Sequence, residues 1–365
     1  MTEELLVEEQ NILKESPIYN LSMCSLEDFH SNFLCWFLNL DIKNHIKIFF
    51  KNESNIANDY YAETQKRKDN NRFDIAIINK YNDDKIEYII ENKIKSYPTE
   101  KQINQYVECF KSNKEDIPRI LLLSLVDFNF EEKKDYLSFM MYGKLKDKIK
   151  QILPNIKDEY NKYLINDYLN VITIMSKYIP KETSTEYDFY EDNTNLEKLG
   201  LVDIYRKYRT SNLLMYLKSK ISNELKNDID FSNNIRYGDS YHNKRGTVDI
   251  NVALPKFGEN SFIGIQIEGY QYRYVLNLTD KTLNTIDIAK KLNENDEPLW
   301  FLNCKDSRGR NHPNTGFCGY NESFIYKYKD IEKNAKYENI ANNIISDLTH
   351  LKDYYAEIIN IIKNN

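Results

Sequence analysis

Cysteine is scarce in this sequence, and its five copies are scattered without a CxxC pair. An odd, dispersed set argues against a disulfide framework and against a zinc site. The clearest apolar stretches, such as ILLLSLV from Ile120, are far too short to span a bilayer. The N-terminus, MTEELLVEEQ, is acidic and has no signal-peptide apolar region. We therefore expect a cytoplasmic protein with free thiols and no membrane partner.

Glycine and proline are also few, and asparagine, lysine, isoleucine and tyrosine are abundant, which we interpret as the codon bias of an AT-rich genome. Several functional signatures are missing: there is no Walker A loop, no glycine-rich dinucleotide turn and no HExxH. The formal net charge of −6 gives no indication of nucleic-acid binding. Such binding is not excluded, because it depends on where the charges lie rather than on their sum.

The apolar pattern of the first half alternates between helical and strand spacing. It predicts a helix after Ser25, a helix after Thr99 and further helices at 144–153 and 159–178. Strands are predicted at 60–66, 72–79, 85–94, 119–126 and 136–142. The order helix, three strands, helix, strand is typical of an α/β (α+β) fold with a mixed central sheet flanked by helices.

A polar stretch, KETSTEYDFYEDNTN, begins at Lys181 and lacks both periods, so we place a domain boundary there. The domains are then residues 1–180 and residues 181–365. For the second we predict helices at 202–225 and from 331 onward, and strands at 247–254, 262–276 and 299–303. This α+β domain would serve substrate contact, homodimerisation or binding of a partner protein.

Charged residues interrupt two apolar strands of the first domain, in RFDIAII and IIENKI. If the strands form a hairpin, Asp74 and Glu91 face each other, and Lys93 lies on the same strand face as Glu91. Two carboxylates and a backbone carbonyl make an oxygen site suited to Mg²⁺, and a lysine beside it can orient water. The alternative is a purely structural role, in which these residues form a salt bridge at the end of a sheet.

These residues resemble the PD-(D/E)XK nuclease superfamily, with Asp74 as the first acidic motif and Glu91-Asn92-Lys93 as E-x-K. The segment LEDFHSNFLCWFLNLDIKNH, with Glu27, His30, Ser31 and His45, resembles the first helix of a largely uncharacterised bacterial branch of that superfamily. Gln102-Ile103-Asn104-Gln105-Tyr106 resembles its helix after E-x-K. The proline that names the motif is absent, because Phe73 precedes Asp74.

The resemblance implies a restriction-endonuclease-like core and a phosphodiesterase that uses Mg²⁺, with Mn²⁺ able to substitute. The implied metal ligands are Asp74, Glu91, the Asn92 carbonyl and Glu27. Lys93 would position the attacking water, Gln105 would bond near the metal waters or the phosphate, and His30 and Ser31 would support the site. The implied substrate is DNA, in restriction or anti-phage defence.

Two other interpretations stay open at this point: an inactive nucleic-acid-binding or regulatory protein on the same fold, and a nuclease acting on RNA. A basic group around the hairpin is a candidate contact for nucleic-acid phosphates, although a solvated basic loop explains it equally well. Its members are Arg67, Lys68, Arg72 and Lys95. Glu63 is a weaker candidate for a further carboxylate.

The second half contains a partial echo of the motif. Asp249 precedes Gln266-Ile267-Glu268 by 17 positions, the spacing that separates Asp74 from Glu91. Coincidence of two hairpins is favoured over a decayed duplicate, and we expect no catalysis there. The loop at 303–319, which contains Arg308, Arg310 and His312, is either a nucleic-acid contact or ordinary turn chemistry.

Overall fold

A computed structural model describes most of the chain. The described residues are 11–13, 16, 18–19, 21, 28–50, 60–82, 85–94, 100–113, 115–127, 134–178, 186–187, 194–226, 228–242, 245–294, 298–302, 304 and 316–365. The chain divides into two compact units: Met1–Lys181 with Thr194–Tyr205, and Glu182–Asn193 with Arg206–Asn365. Residues 194–205, which we assigned to the second domain, are thus grouped with the first.

Between residues 28 and 178, the described part of the first unit forms five α-helices and five strands in an α+β arrangement. The helices are α1 (Asp28–Leu40), α2 (Ile42–Phe49), α3 (Glu100–Ser112), α4 (Tyr142–Ile152) and α5 (Glu159–Tyr178). The strands are β1 (Tyr60–Lys68), β2 (Asn71–Asn79), β3 (Lys85–Lys93), β4 (Arg119–Ser124) and β5 (Leu137–Met141). The predicted element order is therefore confirmed for this unit.

The five strands form one mixed sheet in the order β1-β2-β3-β4-β5. β1, β2 and β3 are antiparallel neighbours, whereas β4 runs parallel to β3 and β5 runs parallel to β4. The parallel step from β3 to β4 needs a crossover, which α3 provides. β4 lies between β3 and β5 and is apolar at four of its six positions, as expected for a strand that is buried on both faces.

Helices cover the two faces of this sheet with apolar stripes. Leu34, Phe37 and Leu38 of α1 are fully buried. Ile103, Tyr106 and Phe110 of α3 pack with strand residues in a separate apolar cluster. The sheet is thus buried on both sides, and polar groups within it need partners.

The second unit contains the remaining elements. Its helical part comprises α7 (Val202–Glu224), α8 (Ile229–Ser232), α9 (Thr285–Lys291), α10 (Tyr337–Asp353) and α11 (Tyr355–Lys363); a short α6 (Thr194–Lys198) precedes α7 and is grouped, like the start of α7, with the first unit. Its strands are β6 (Glu186–Tyr187), β7 (Ile235–His242), β8 (Arg245–Ala253), β9 (Phe262–Glu268), β10 (Gln271–Asn277), β11 (Cys318–Gly319), β12 (Phe324–Asp330) and β13 (Ala335–Lys336). Six of them form a sheet in the order β11-β12-β10-β9-β8-β7.

Three sequence predictions for this half were wrong. The single strand at 262–276 is a hairpin, because Gly269 adopts a φ of 58° and turns the chain between β9 and β10. The stretch at 299–302 is bent rather than extended, with a φ of 62° at Phe301. The last helical segment begins at Tyr337 rather than 331, after the short strand β13.

No helix in the part of the chain that the structure describes is both long enough and apolar enough to cross a membrane.

Candidate active site

Asp74 lies in β2 at a point where the regular alternation of the strand is interrupted. Phe73 and Ala76 both pack in the apolar cluster beneath α3, although an odd spacing would place them on opposite faces. Across β1, the pairs Thr64↔Ile75 and Lys66↔Phe73 flank Gln65, whose φ of 57° is unusual for a residue other than glycine. Asp74 lies within this irregular stretch, opposite Gln65.

The Asp74 carboxylate lies beside the E-x-K segment of β3. The backbone N–H of Asn92 donates to Asp74 Oδ2 over 2.9 Å. The paired register of the hairpin reaches Ile75↔Ile90, so the next positions on the two strands are Asp74 and Glu91. The fold therefore brings together the acidic residues that the sequence separates by 17 positions.

Glu91 is fully buried, and three donors meet its carboxylate. Lys93 Nζ and Gln102 Nε2 lie 2.7 and 2.6 Å from Oε1, and the Tyr106 hydroxyl donates to Oε2 over 2.7 Å. A buried carboxylate without such donors would pay a large desolvation penalty. Lys93 and the α3 residues thus keep Glu91 in place.

The pKa of the Tyr106 hydroxyl reflects the electrostatics of the site. Burial raises the pKa of its hydroxyl far above the usual range, and the negative charges of Glu91 and Asp74 raise it further. Tyr106 therefore stays protonated and acts as a hydrogen-bond donor. The influence of both carboxylates on one hydroxyl is consistent with their lying close together.

The Asn92 side chain points away from Glu91 and Lys93, as strand alternation requires. Its Nδ2 donates to Ser31 Oγ over 3.0 Å, and the Tyr142 hydroxyl donates to its Oδ1 over 2.5 Å. These bonds tie β3 to the start of α1 and to the start of α4. They fix the backbone of Asn92, whose N–H contacts Asp74 and whose carbonyl is a candidate metal ligand.

His30 and Ser31, predicted to support the site, are both fully buried in α1. Ser31 contacts Asn92 directly, whereas His30 Nδ1 lies 3.2 Å from the Tyr168 hydroxyl of α5. His45 packs elsewhere: its ring stacks on Phe37, and its Nδ1 lies 2.6 Å from the Phe37 carbonyl.

The glutamine at the site is Gln102 rather than Gln105. Gln105 is exposed on α3, and Gln102 contacts both Glu91 and Tyr106. The reason is helical geometry. Gln102 lies four residues before Tyr106, so the two side chains share the face of α3 that packs on the sheet. Gln105 is adjacent to Tyr106 in sequence, so its side chain projects about 100° away from that face. The i, i+4 pair Gln102 and Tyr106, together with the apolar stripe, was the signal that could have identified it.

The predicted basic group is divided by the structure. Arg67 and Arg72 are exposed and occupy facing positions on β1 and β2. Arg72 also lies 3.4 Å from Asp28, and Lys68 pairs with Glu115 at 2.7 Å. Lys95 lies outside the described residues. Glu63 pairs with Lys66 at 3.0 Å.

Glu27 also lies outside the described residues, as do residues 305–315 of the predicted loop at 303–319. Within the described ranges, no group of three or more histidine, cysteine, aspartate or glutamate side chains is gathered as a metal site. The candidate centre therefore consists of two carboxylates, Asp74 and Glu91, and the Asn92 carbonyl.

This donor set fits a hard divalent cation. A carboxylate offers about four acceptor positions, and the three donors that meet Glu91 leave room for one further contact. The two carboxylates and the Lys93 ammonium sum to a negative local charge, which attracts a cation. Oxygen ligands of this type are those that Mg²⁺ prefers.

The echo in the second unit has a different chemistry. Asp249 and Gln266 face each other on β8 and β9, and Gln266 Nε2 donates to Asp249 Oδ1 over 2.9 Å. Arg273 of β10 is buried and donates to Gln266 Oε1 over 2.8 Å and also to Glu268. Burial raises the pKa of Asp249. Arg273, together with Arg245 at 3.6 Å from Glu268, thus offsets the two carboxylates of this cluster.

Comparison with protein-family models, with curated proteins and with solved structures finds no match for the chain.

Proposed function

We propose that this protein is a Mg²⁺-dependent nuclease that hydrolyses phosphodiester bonds in DNA, and that its first unit is a restriction-endonuclease-like core. The observation that carries the proposal is the contact between Asp74 Oδ2 and the Asn92 amide at 2.9 Å. It places one acidic motif against the other, next to a lysine that is bonded to Glu91. A simple salt bridge at a sheet end would not need the second carboxylate.

The groups that would hold the cation are Asp74, Glu91 and the Asn92 carbonyl, with Glu27 as a further candidate from the resemblance. Bound there, a divalent ion would polarise a phosphoryl oxygen and lower the pKa of a bound water. The Asn92 side-chain bonds to Ser31 and Tyr142 hold the peptide that presents the carbonyl.

Lys93 is the group suited to act on the reacting phosphate. Its side chain is only 11 % exposed and its ammonium is anchored 2.7 Å from Glu91, so it presents a fixed positive charge in a low-dielectric setting. There it would orient the attacking water and stabilise charge on the phosphorane-like transition state. Gln102 and Tyr106 position Glu91 rather than contact the substrate.

The facing arginines Arg67 and Arg72 favour a polyanionic substrate. Like charges directly opposite each other on neighbouring strands repel and are destabilising on their own. Asp28, 3.4 Å from Arg72, offsets part of this repulsion, and a phosphate backbone running past this edge of the sheet would relieve the rest. This interaction positions the strand and carries no sequence preference. Restriction or anti-phage defence in the cytoplasm is the biological setting that we propose.

The direct test is incubation of the full chain with supercoiled, linear and single-stranded DNA and with RNA, in Mg²⁺, Mn²⁺ or EDTA. Wild type is compared with Asp74→Asn and Lys93→Met, and with Asp116→Asn as a matched control at a highly exposed carboxylate. We expect metal-dependent DNA cleavage that the first two variants lose and the control retains. Mg²⁺ should also raise the melting temperature of wild type but not of Asp74→Asn.

Cleavage in EDTA, or full activity in both site variants, would contradict the mechanism. Cleavage of RNA alone would transfer the same mechanism to that substrate. Binding of DNA by all four proteins without cleavage in any metal would instead indicate the inactive, nucleic-acid-binding alternative.

A further inference from the structure

Gln65 lies in β1 directly opposite Asp74. The register of β1 with β2 is the same on both sides of Gln65, so Asp74 occupies the facing position. β2 lies between β1 and β3, and Asp74 accepts a hydrogen bond from the Asn92 amide of β3. Asp74 therefore has Gln65 on one side and the E-x-K segment on the other.

The side-chain amide of Gln65 has a defined orientation. Its Nε2 donates to Asp28 Oδ1 over 3.0 Å. An ionised carboxylate only accepts hydrogen bonds, so the amide nitrogen faces Asp28 and the amide oxygen, Oε1, is the atom turned away from it. Asp28 and Ser31 lie about one turn apart on α1, and Ser31 contacts Asn92 of β3. The first turn of α1 thus reaches both β1 and β3, on either side of Asp74.

The amide oxygen of Gln65 is buried, and among the residues that the structure describes it has no hydrogen-bond donor. An amide oxygen has two acceptor positions, and a buried acceptor without a partner is costly. Buried polar atoms of this kind are rare in native proteins and mark places for a bound ion or water. The group that satisfies Oε1 is therefore a ligand rather than a side chain of the described part of the chain.

The backbone of Gln65 adds a second unfavourable feature at the same residue. Its φ of 57° lies in the left-handed region, which a residue other than glycine seldom adopts. Such conformations persist where the surrounding structure imposes them, and they cluster at active sites and ligand sites. Glycine would adopt this φ without strain. An unsatisfied buried oxygen and a strained backbone thus coincide directly opposite Asp74.

We infer that Gln65 is a further oxygen ligand of the divalent cation proposed for Asp74 and Glu91. The inference rests on the proposed function, because it needs that cation. Amide oxygens belong, with carboxylates and backbone carbonyls, to the hard oxygen ligands of such ions. Glu91 reaches the centre from the side of α3, and Gln65 reaches it from the side of α1. As a neutral group, Gln65 adds an oxygen without adding repulsion among the carboxylates of Asp28, Asp74 and Glu91.

The test is calorimetric titration of the full chain with Mn²⁺, without nucleic acid, together with the melting temperature in EDTA. Asp74→Asn should abolish binding of Mn²⁺, which tests the proposed centre itself. Gln65→Gly removes the amide and relieves the backbone, so Mn²⁺ should bind about tenfold more weakly or worse, while the melting temperature in EDTA is not lowered. Asn334→Gly, at an exposed position with a φ of 62°, is the backbone control and should leave Mn²⁺ binding unchanged.

Gln65→Glu keeps the length of the side chain and places a carboxylate oxygen in the position of the amide oxygen. In EDTA it should melt at a lower temperature than wild type, because the added charge repels Asp28, which lies within hydrogen-bond distance of the amide. Mn²⁺ should bind this variant at least as tightly as wild type and should raise its melting temperature by a larger amount.

The outcomes separate this inference from the proposed function. If wild type binds no Mn²⁺, or if Asp74→Asn binds it equally well, the proposed metal centre is wrong and the role of Gln65 is wrong as well. If those two proteins behave as expected but Gln65→Gly binds Mn²⁺ like wild type, only the role of Gln65 is wrong. Weaker binding of Mn²⁺ by Gln65→Glu than by wild type would also overturn that role, and this variant decides alone if Gln65→Gly does not fold.

Discussion

Tyr106 donates its hydroxyl hydrogen to Glu91 Oε2 over 2.7 Å, and both side chains are buried. The same hydroxyl receives a hydrogen bond from Gln102, and its ring packs edge-on against Phe73. One side chain thus belongs to the apolar cluster of α3 and to the polar network of the candidate site. Its removal should affect stability and activity together, unlike loss of a purely apolar or purely catalytic group.

Tyr106→Phe tests this double role because it keeps the ring and removes only the hydroxyl. We expect the free energy of unfolding to fall by about 1.5–3 kcal/mol, the range for a hydrogen bond to a buried charged group, with nuclease activity reduced as well. Denaturant titration and DNA cleavage measure the two effects. Tyr61→Phe, at a half-buried tyrosine of β1, is the control and should change stability by less than about 0.5 kcal/mol.

The two glutamines of α3 provide a matched pair. Gln102→Ala removes a donor from the buried Glu91 carboxylate, so we expect a clear loss of cleavage rate and a loss of roughly 1–3 kcal/mol in unfolding free energy. Gln105→Ala, at an exposed position of the same helix, should change neither. A larger effect from Gln105→Ala would mean that it contacts the substrate, as the sequence resemblance implied.

Arg273 lets the acidic cluster of the second unit be tested separately. It is buried and bonded to Gln266 and Glu268, so Arg273→Met should destabilise that unit by about 3–5 kcal/mol, the cost of leaving a buried charge without its partner. Arg245→Met removes a largely exposed arginine 3.6 Å from the same Glu268 and should cost less than about 1 kcal/mol. Unfolding curves of the two variants make the comparison, and similar values would show that the buried Arg273 offsets these carboxylates no more than the exposed Arg245 does.

We expect the unfolding free energy to depend on pH through His45. Burial lowers the pKa of its imidazole, while the bond to the Phe37 carbonyl and the charge of Asp41 act in the opposite direction without cancelling the shift. The unfolded chain therefore binds a proton more readily than the folded one below the ordinary histidine pKa of about 6.5. The contribution of neutral His45 is present above that pH and is lost as the pH falls below it.

The measurement is the unfolding free energy of wild type and His45→Gln from pH 5 to 8.5. The stability gap between them should be constant between pH 7.5 and 8.5 and should narrow as the pH falls through the region below 6.5. A gap that widens toward low pH would mean that the folded state favours the charged imidazole.

The sequence was sufficient to predict most helices and strands of the first unit. Long apolar strands such as β4, and helices with a clear stripe such as α5, follow from local periodicity, and the observed bounds of α5 coincide with the predicted 159–178. Prediction was poorer in the second unit. Apolar residues alternate with polar ones in both β9 and β10, and the two-residue turn at Gly269 is short enough to be missed.

The sequence by itself determined which residue types are available for chemistry: one aspartate in β2, and a glutamate and a lysine two apart in β3, which alternation places on one face. It did not determine which α3 residue meets them, because that depends on the rotation of the helix about its axis as its apolar stripe packs on the sheet. The tertiary structure selects Gln102 over Gln105, adds Tyr106 as a donor and brings Asp74 to the Asn92 amide. The tertiary structure also distinguishes the two pairs that share the 17-residue spacing, Asp74 with Glu91 and Asp249 with Gln266. Two arginines, Arg273 and Arg245, offset the two carboxylates of the cluster in the second unit, whereas the first site keeps two carboxylates beside a single lysine.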